Sequence, residues 1–165
     1  MKFNNETLRA AVKEWLDDES KAEKKYGHIS DWDTSEVTDM SDMFFGAKSF
    51  NQPLEKWDVS QVTYMYGMFA LTSFNQPLEK WDVSKVTDMR GMFHVASSFN
   101  QPLEKWDVSK VTDMKWMFYG ASSFNQPLEK WDVSKVTNMN RMFALTNSFN
   151  QPLEKWDVSK VTDMR

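Results

Sequence analysis

The sequence contains no cysteine and no long apolar run. Without cysteine the chain has neither disulfides nor a thiolate nucleophile. Because no run of about 18 apolar residues occurs, no membrane-spanning segment is expected, and residues 1–10 lack the apolar core of a signal peptide. Lysines and acidic residues are interleaved and the net charge is −4, which argues against a nucleic-acid-binding surface.

Catalytic motifs are also absent. There is no G-x-S-x-G sequence, and with five glycines in the whole chain there is no glycine-rich phosphate loop. His28 and His94 do not recur along the chain, so methionine–histidine metal ligation is not expected either. The sequence therefore predicts a protein that is not an enzyme and that carries no cofactor and no metal.

What is present is a repeat. The heptapeptide Leu-Glu-Lys-Trp-Asp-Val-Ser occupies residues 54–60 and returns four times, and the spacing between its tryptophans and Trp32 is 25, 24, 25, 25 and 25 residues. A fixed period in this range is typical of a solenoid whose turns pack only on their neighbours. The repeated tryptophans are Trp32, Trp57, Trp81, Trp106, Trp131 and Trp156.

The segment before the repeats has a different pattern. Residues 8–16 carry apolar side chains at helical spacing, and Gly27 can close a second short helix. Residues 1–28 are therefore interpreted as a helical N-terminal cap. The solenoid of residues 29–165 is divided into five full turns, 29–53, 54–77, 78–102, 103–127 and 128–152, and a partial sixth turn, 153–165.

Each turn is expected to contain one short parallel strand and one short helical segment, which makes the fold an α/β repeat. Alternation over residues 54–59 predicts a strand with Trp57 and Val59 facing the core. Spacings of three and four over residues 62–69 predict one or two helical turns. A second register, with the strand on residues 62–65, stays open.

Several polar residues recur once per turn and should form columns. The Asn column is predicted to be buried and to satisfy backbone groups, and the Thr column to cap the helical segments, although a row of hydroxyls could instead face a lattice such as ice. These columns are Asn51, Asn75, Asn100, Asn125 and Asn150, and Thr38, Thr63, Thr87, Thr112, Thr137 and Thr162.

A further recurring set is charged. A column of Asp would repel itself, and the neighbouring Lys column offers cross-strand pairing. The Asp residues could also cap turns, and calcium between the carboxylates is a third reading, weakened by the Lys two residues from each Asp. The candidates for a ligand-binding face are Lys56, Asp58, Lys80, Asp82, Lys105, Asp107, Lys130 and Asp132.

A few positions break the repetition, mostly within the predicted helical segments. Exposed aromatic and arginine side chains are typical contact residues, although surface drift would give the same pattern. The candidates for a variable binding surface are Tyr64, Tyr66, His94, Trp116, Tyr119 and Arg141, and Phe45 and Asn138 depart from the repeat as well.

The pattern W-D-V-S-x-V-T-x-M-x-x-M-F over residues 81–93, followed by S-F-N-Q-P-L over residues 98–103, resembles the repeats of BspA-like leucine-rich-repeat surface proteins, including those of mycoplasma lipoproteins. The resemblance covers residues 26–165. It implies a right-handed, leucine-rich-repeat-like solenoid, a role in adhesion or recognition without catalysis, and a cell-surface or secreted location.

Two functional hypotheses result. The first is a binding module, and because the Lys and Asp face is nearly identical from turn to turn, its partner would be a protein or a repetitive glycan. The second is a self-assembling scaffold, in which copies associate through the apolar C-terminal end near Arg165.

Overall fold

The computed structural model describes residues 1–165, and its regular secondary structure lies entirely near the N-terminus. Helix α1 spans Asn5–Asp17, helix α2 spans Glu19–Tyr26, and a single 3₁₀ turn spans Ile29–Asp31. Asn4 and Thr7 form a capping box that starts α1. Gly27, with φ of 78°, ends α2, as the sequence predicts.

The predicted α/β solenoid is wrong. Residues 32–165 contain no helix and no strand. Their only β-pairing between successive repeats consists of isolated parallel bridges, at Asp39–Tyr64, Tyr64–Asp88, Asp88–Asp113, Asp113–Asn138 and Asn138–Asp163. The chain is mostly irregular. Nothing in it corresponds to the strand-and-helix turn of a leucine-rich repeat.

The predicted strand at residues 54–59 is replaced by turns. The Trp57 N–H donates to the Leu54 carbonyl at 3.0 Å, which closes a β-turn, and the Ser60 N–H donates to the Asp58 carboxylate at 2.9 Å. Trp57 and Val59 are nevertheless buried. The alternation therefore marked the buried side chains correctly, although the backbone is not extended. The second register, with the strand on residues 62–65, is closer to the structure, because Tyr64 forms β-bridges. An isolated bridge is nevertheless not a strand.

The predicted helical segment fails for a related reason. Some backbone N–H groups of this segment donate within their own repeat and close short turns, such as Met68 N–H to the Met65 carbonyl at 3.3 Å. Others donate to the next repeat, such as Phe69 N–H to the Met92 carbonyl at 2.9 Å. Gly67 and Leu71, four residues apart, both have a positive φ of 59°, which interrupts any regular helix or strand. Neither a continuous helix nor a continuous strand can form over such a backbone.

The interior holds columns of stacked rings. Equivalent rings of successive repeats lie parallel, with centroid distances of 6.5 Å for Trp106 and Trp131 and 5.8 Å for Phe69 and Phe93. Each repeated tryptophan also donates its indole N–H to a backbone carbonyl of the preceding repeat or cap. The 45 buried residues of this core form one continuous cluster, so every repeat packs on the next through the same apolar and hydrogen-bonded contacts.

Helix α1 covers the first repeat. The Asn5 side-chain oxygen accepts hydrogen bonds from Thr38 N–H at 2.8 Å and Asp39 N–H at 3.3 Å. In later repeats the Thr N–H donates to the Thr carbonyl of the preceding repeat. Asn5 therefore takes the place of a preceding repeat, and the buried face of α1, which includes Leu8 and Trp15, closes the core.

Candidate binding groove

The Lys and Asp residues that recur in the repeated heptapeptide form what is called here the invariant charged face, and its side chains are paired within the chain. Each Lys of the repeated motif pairs with an acidic residue one repeat earlier, for example Lys105 with Glu79 at 3.5 Å and Lys130 with Glu104 at 3.4 Å. The predicted pairing of this Lys column with the Asp column is therefore wrong. The remaining pairs are Lys56–Asp31, Lys80–Glu55 and Lys155–Glu129.

The Asp column closes turns, which was one of the alternatives left open by the sequence. The Ser N–H two residues later donates to each carboxylate, as from Ser84 to Asp82 at 3.1 Å and from Ser109 to Asp107 at 3.0 Å. Hydrogen bonds from the Ser84 hydroxyl and N–H lower the pKa of Asp82. The same contacts hold Asp58 and Asp132, and nowhere in the chain do three His, Asp or Glu side chains converge as metal ligands would.

The Asn and Thr columns also connect repeats. Asn75 Oδ1 accepts the Asn100 N–H at 3.0 Å, and the Thr112 hydroxyl donates to the Thr87 carbonyl at 3.3 Å. The predicted role of Asn is therefore correct, but Asn51, Asn100 and Asn150 are exposed rather than buried. The Thr residues cap no helix, because the repeats contain none.

Part of the variable set converges on one groove. Tyr66, His94 and Trp116 come from three successive repeats and line a groove of about 140 Å³. Tyr119 stacks on His94 with a centroid distance of 5.1 Å and so supports its wall. Tyr64 lies outside the groove, at a bridge position, and Arg141 lies at the C-terminal end of the chain's core.

The groove contains residues that the sequence candidates missed. Asp42 and Phe45 of the first repeat complete its wall, and the small residues Gly67, Ala70 and Gly91 also line it. A Cβ at Gly67 would collide with the Asp42 carboxylate, and its φ of 59° also favours glycine. Phe45 departs from the repeat in the sequence but was not among the candidates for the binding surface, whereas Asp42 carried no signal beyond its unusual residue type.

One negative charge dominates the groove. Asp42 is its only charged lining residue, and its carboxylate accepts no hydrogen bond from any residue of the chain. Burial raises the pKa of Asp42, and the nearby Asp39 adds to this while Arg9 opposes it. Burial also lowers the pKa of His94, which favours the neutral imidazole. The groove is thus apolar with a single unpaired carboxylate.

Two cations of the chain lie against the walls without lining the groove. The Arg90 guanidinium sits over the Tyr66 ring at 5.2 Å and is paired with Asp88, with nitrogen and oxygen 2.6 Å apart. The Lys115 ammonium sits over the Trp116 ring at 4.1 Å. These contacts show that both rings already interact with positive charge.

A larger hollow lies at the C-terminal end. It measures about 510 Å³ and is lined mainly by apolar residues between Met139 and Arg165, including Leu153 and Trp156. Another turn of this repeat would cover the same residues. End-to-end association of two copies stays a prediction.

Comparisons with known proteins give one match. A family model described as "Mycoplasma protein of unknown function, DUF285" matches residues 12–114 and again residues 70–165. No curated protein and no solved structure matches the chain. Neither helix is long and apolar enough to cross a membrane.

Proposed function

This chain belongs to DUF285, the family of mycoplasma proteins of unknown function, and we propose that it is a non-catalytic recognition module that holds a protein or glycan partner at the groove formed by Asp42, Phe45, Tyr66, His94 and Trp116. The family description names no ligand. The proposal therefore rests on the geometry of the groove, and the resemblance to BspA-like surface proteins supports adhesion at the cell surface as its setting.

The observation that carries the proposal is the clustering of exposed aromatic side chains. Phe45, Tyr66 and Trp116 are exposed by 55%, 42% and 38%, yet they come from three different repeats and line one groove. Aromatic residues at the centre of a contact contribute a large share of binding energy. Scattered surface aromatics would need no explanation, whereas convergence across repeats favours a binding site.

The lining residues favour binding over catalysis. No Ser, Thr, Cys or Lys lines the groove, so it has no aliphatic hydroxyl, thiol or amine that Asp42 or His94 could activate as a nucleophile. His94 packs between the rings of Trp116 and Tyr119 and makes no hydrogen bond that would orient it as a general base. A rigid aromatic wall with one acidic group matches recognition chemistry.

The invariant face is the weaker candidate. Its Lys side chains are paired with Glu, and its Asp side chains accept hydrogen bonds from the turns that they close. A ligand there would have to compete with contacts that the chain already makes. The groove offers groups without partners, so a ligand gains contacts without breaking others.

The proposal is tested by probing glycan and peptide arrays with the labelled chain and two variants. Trp116→Ala removes a wall of the groove, and Tyr64→Ala removes a comparably exposed aromatic outside it. We expect the unmodified chain and Tyr64→Ala to bind the same array members. We expect Trp116→Ala to lose about tenfold or more in affinity for them.

Comparison of the two variants also defines the outcomes that would contradict the proposal. If no array member binds above background, or if Trp116→Ala and Tyr64→Ala weaken binding equally, the groove is not the recognition site. Circular dichroism of both variants checks that neither has lost the fold.

A further inference from the structure

The charge of the groove is unusual for an apolar site. Four aromatic side chains, Phe45, Tyr66, His94 and Trp116, line the same groove as the Asp42 carboxylate, and no Lys or Arg lines it. We propose that the groove binds an organic cation of the quaternary ammonium class. This inference rests on the proposed recognition function and names the chemical group that the site takes.

The first support is the unpaired carboxylate. The charge of Arg9 acts on Asp42, but the Arg9 guanidinium donates to the Ser41 carbonyl at 2.6 Å and pairs with Asp39 at 3.3 Å. The backbone of Asp42 is hydrogen-bonded to Tyr66 and Phe45, whereas its carboxylate makes no salt bridge and no hydrogen bond within the chain. The Asp42 side chain is exposed to solvent, and a bound cation would supply the charge interaction that no salt bridge of the chain makes with it.

The second support is the nature of the walls. The faces of aromatic rings attract cations within about 6 Å of the ring centroid. The Tyr66 ring already contacts the Arg90 cation, and the Trp116 ring contacts the Lys115 cation. Because neither cation lines the groove, the space between the rings and Asp42 is open to a ligand. Rings combined with one carboxylate are the arrangement that recognises methylated ammonium groups.

The third support is size. The groove of about 140 Å³ is well below the roughly 300–1,000 Å³ of pockets that enclose drug-sized ligands. It has room for one compact head group of a partner, whereas the rest of that partner would lie outside the groove. A neutral sugar ring would make no ion pair with Asp42. Compact size and positive charge together describe a quaternary ammonium group.

The experiment compares choline with 3,3-dimethylbutan-1-ol, in which a neutral carbon replaces the charged nitrogen at nearly the same shape. Both are titrated into the full chain while NMR follows the Trp116 indole N–H, assigned from its loss in Trp116→Phe. We expect choline to shift this signal saturably. We expect the neutral analogue to bind at least about tenfold more weakly, since it lacks the charge interaction.

Two variants separate the role of Asp42 from general effects of charge. Asp42→Asn removes the negative charge and suits the backbone, because asparagine tolerates the positive φ of 55° found there. It should weaken choline binding about tenfold. Asp58→Asn removes an exposed carboxylate outside the groove and should leave choline binding unchanged.

The carrier of the cation is distinguished in the same titration. Choline represents a free small molecule, and a short peptide containing trimethyllysine represents a side chain of a partner protein. Either ligand binding through Asp42 supports the proposal, and the tighter one identifies the source.

Contrary outcomes are equally defined. Equal affinity for choline and its neutral analogue, or unchanged choline binding by Asp42→Asn, would overturn the proposal. If no cation shifts Trp116 while an array ligand still needs Trp116, the cation inference falls and the recognition function stands. If no array ligand binds either, both fall.

Discussion

Trp106 and Trp116 are ten residues apart in the same repeat and have opposite environments. Trp106 is 3% exposed, stacks on Trp131, and donates its indole N–H to the Leu78 carbonyl at 2.9 Å. Trp116 is 38% exposed and makes no indole hydrogen bond. The comparison teaches that this chain uses one residue type for two purposes. Tryptophans that recur every repeat build the core, and the one tryptophan of the repeats that does not recur, Trp116, belongs to the groove.

The largest predicted effect comes from substituting Trp106 and Trp116 by alanine in separate variants. Trp106→Ala should lower the free energy of unfolding by about 3–5 kcal/mol, because it leaves a cavity and removes the indole hydrogen bond to the Leu78 carbonyl. The melting temperature should fall by about 6 °C or more. Trp116→Ala should cost less than about 1 kcal/mol, because its ring is largely in water.

Thermal and denaturant unfolding of the two variants measure this difference. Trp106→Phe is the control, since it keeps a ring in the column and loses only the indole hydrogen bond. If Trp106→Ala shifts the melting temperature by no more than Trp116→Ala, the interior columns do not hold the repeats together.

The second prediction concerns the backbone at Leu145. Leu145 has a φ of 59° and is 61% exposed. A left-handed backbone costs a residue with a side chain about 1–2 kcal/mol, and glycine avoids this cost. Glycine also loses more conformational entropy on folding, which cancels part of the gain. Leu145→Gly should therefore stabilise the chain by about 0.5–1 kcal/mol.

Leu16 provides the matched control. It is also an exposed leucine but lies in helix α1, where glycine should destabilise by about 1 kcal/mol. The two substitutions should thus move the denaturation midpoint in opposite directions. Destabilisation by Leu145→Gly would mean that its side chain contributes more than its backbone costs.

The smallest predicted effect concerns the invariant charged face. Lys130 lies 3.4 Å from Glu104, but its side chain is well exposed, so water and salt screen the pair. A double-mutant cycle with Lys130→Met and Glu104→Gln should give a coupling energy below about 0.5 kcal/mol at low salt. The coupling should vanish in 1 M salt, and a coupling above about 1 kcal/mol would show that this face matters to stability.

Particular residues show how far sequence reasoning reached. The period located Trp106 and its equivalents in the core, and alternation identified Trp57 and Val59 as buried. The strand and helix assignments failed, because periodicity reports which side chains are buried and not which backbone hydrogen bonds form. The turn at residues 54–57 satisfies the same burial pattern without an extended chain.

The groove was only partly predictable. Tyr66, His94 and Trp116 stood out because they break the repeat, but nothing in the sequence separated them from Tyr64 and Arg141. The contribution of Asp42 was invisible, because its importance depends on the absence of a partner and on the walls that later repeats place beside it. Contacts between repeats, and not the residues alone, create the site.

The amino-acid sequence alone determined the period, the two N-terminal helices and the residues of the core, because burial pattern, helix capping and repeat spacing are local properties of the chain. The tertiary structure decided the backbone conformation of the repeats, the pairing of each Lys with an acidic residue one repeat earlier, and the convergence of several repeats on one groove. Those features depend on which backbone donor crosses to the next repeat and which closes a turn within its own. That choice is made only when the repeats pack together.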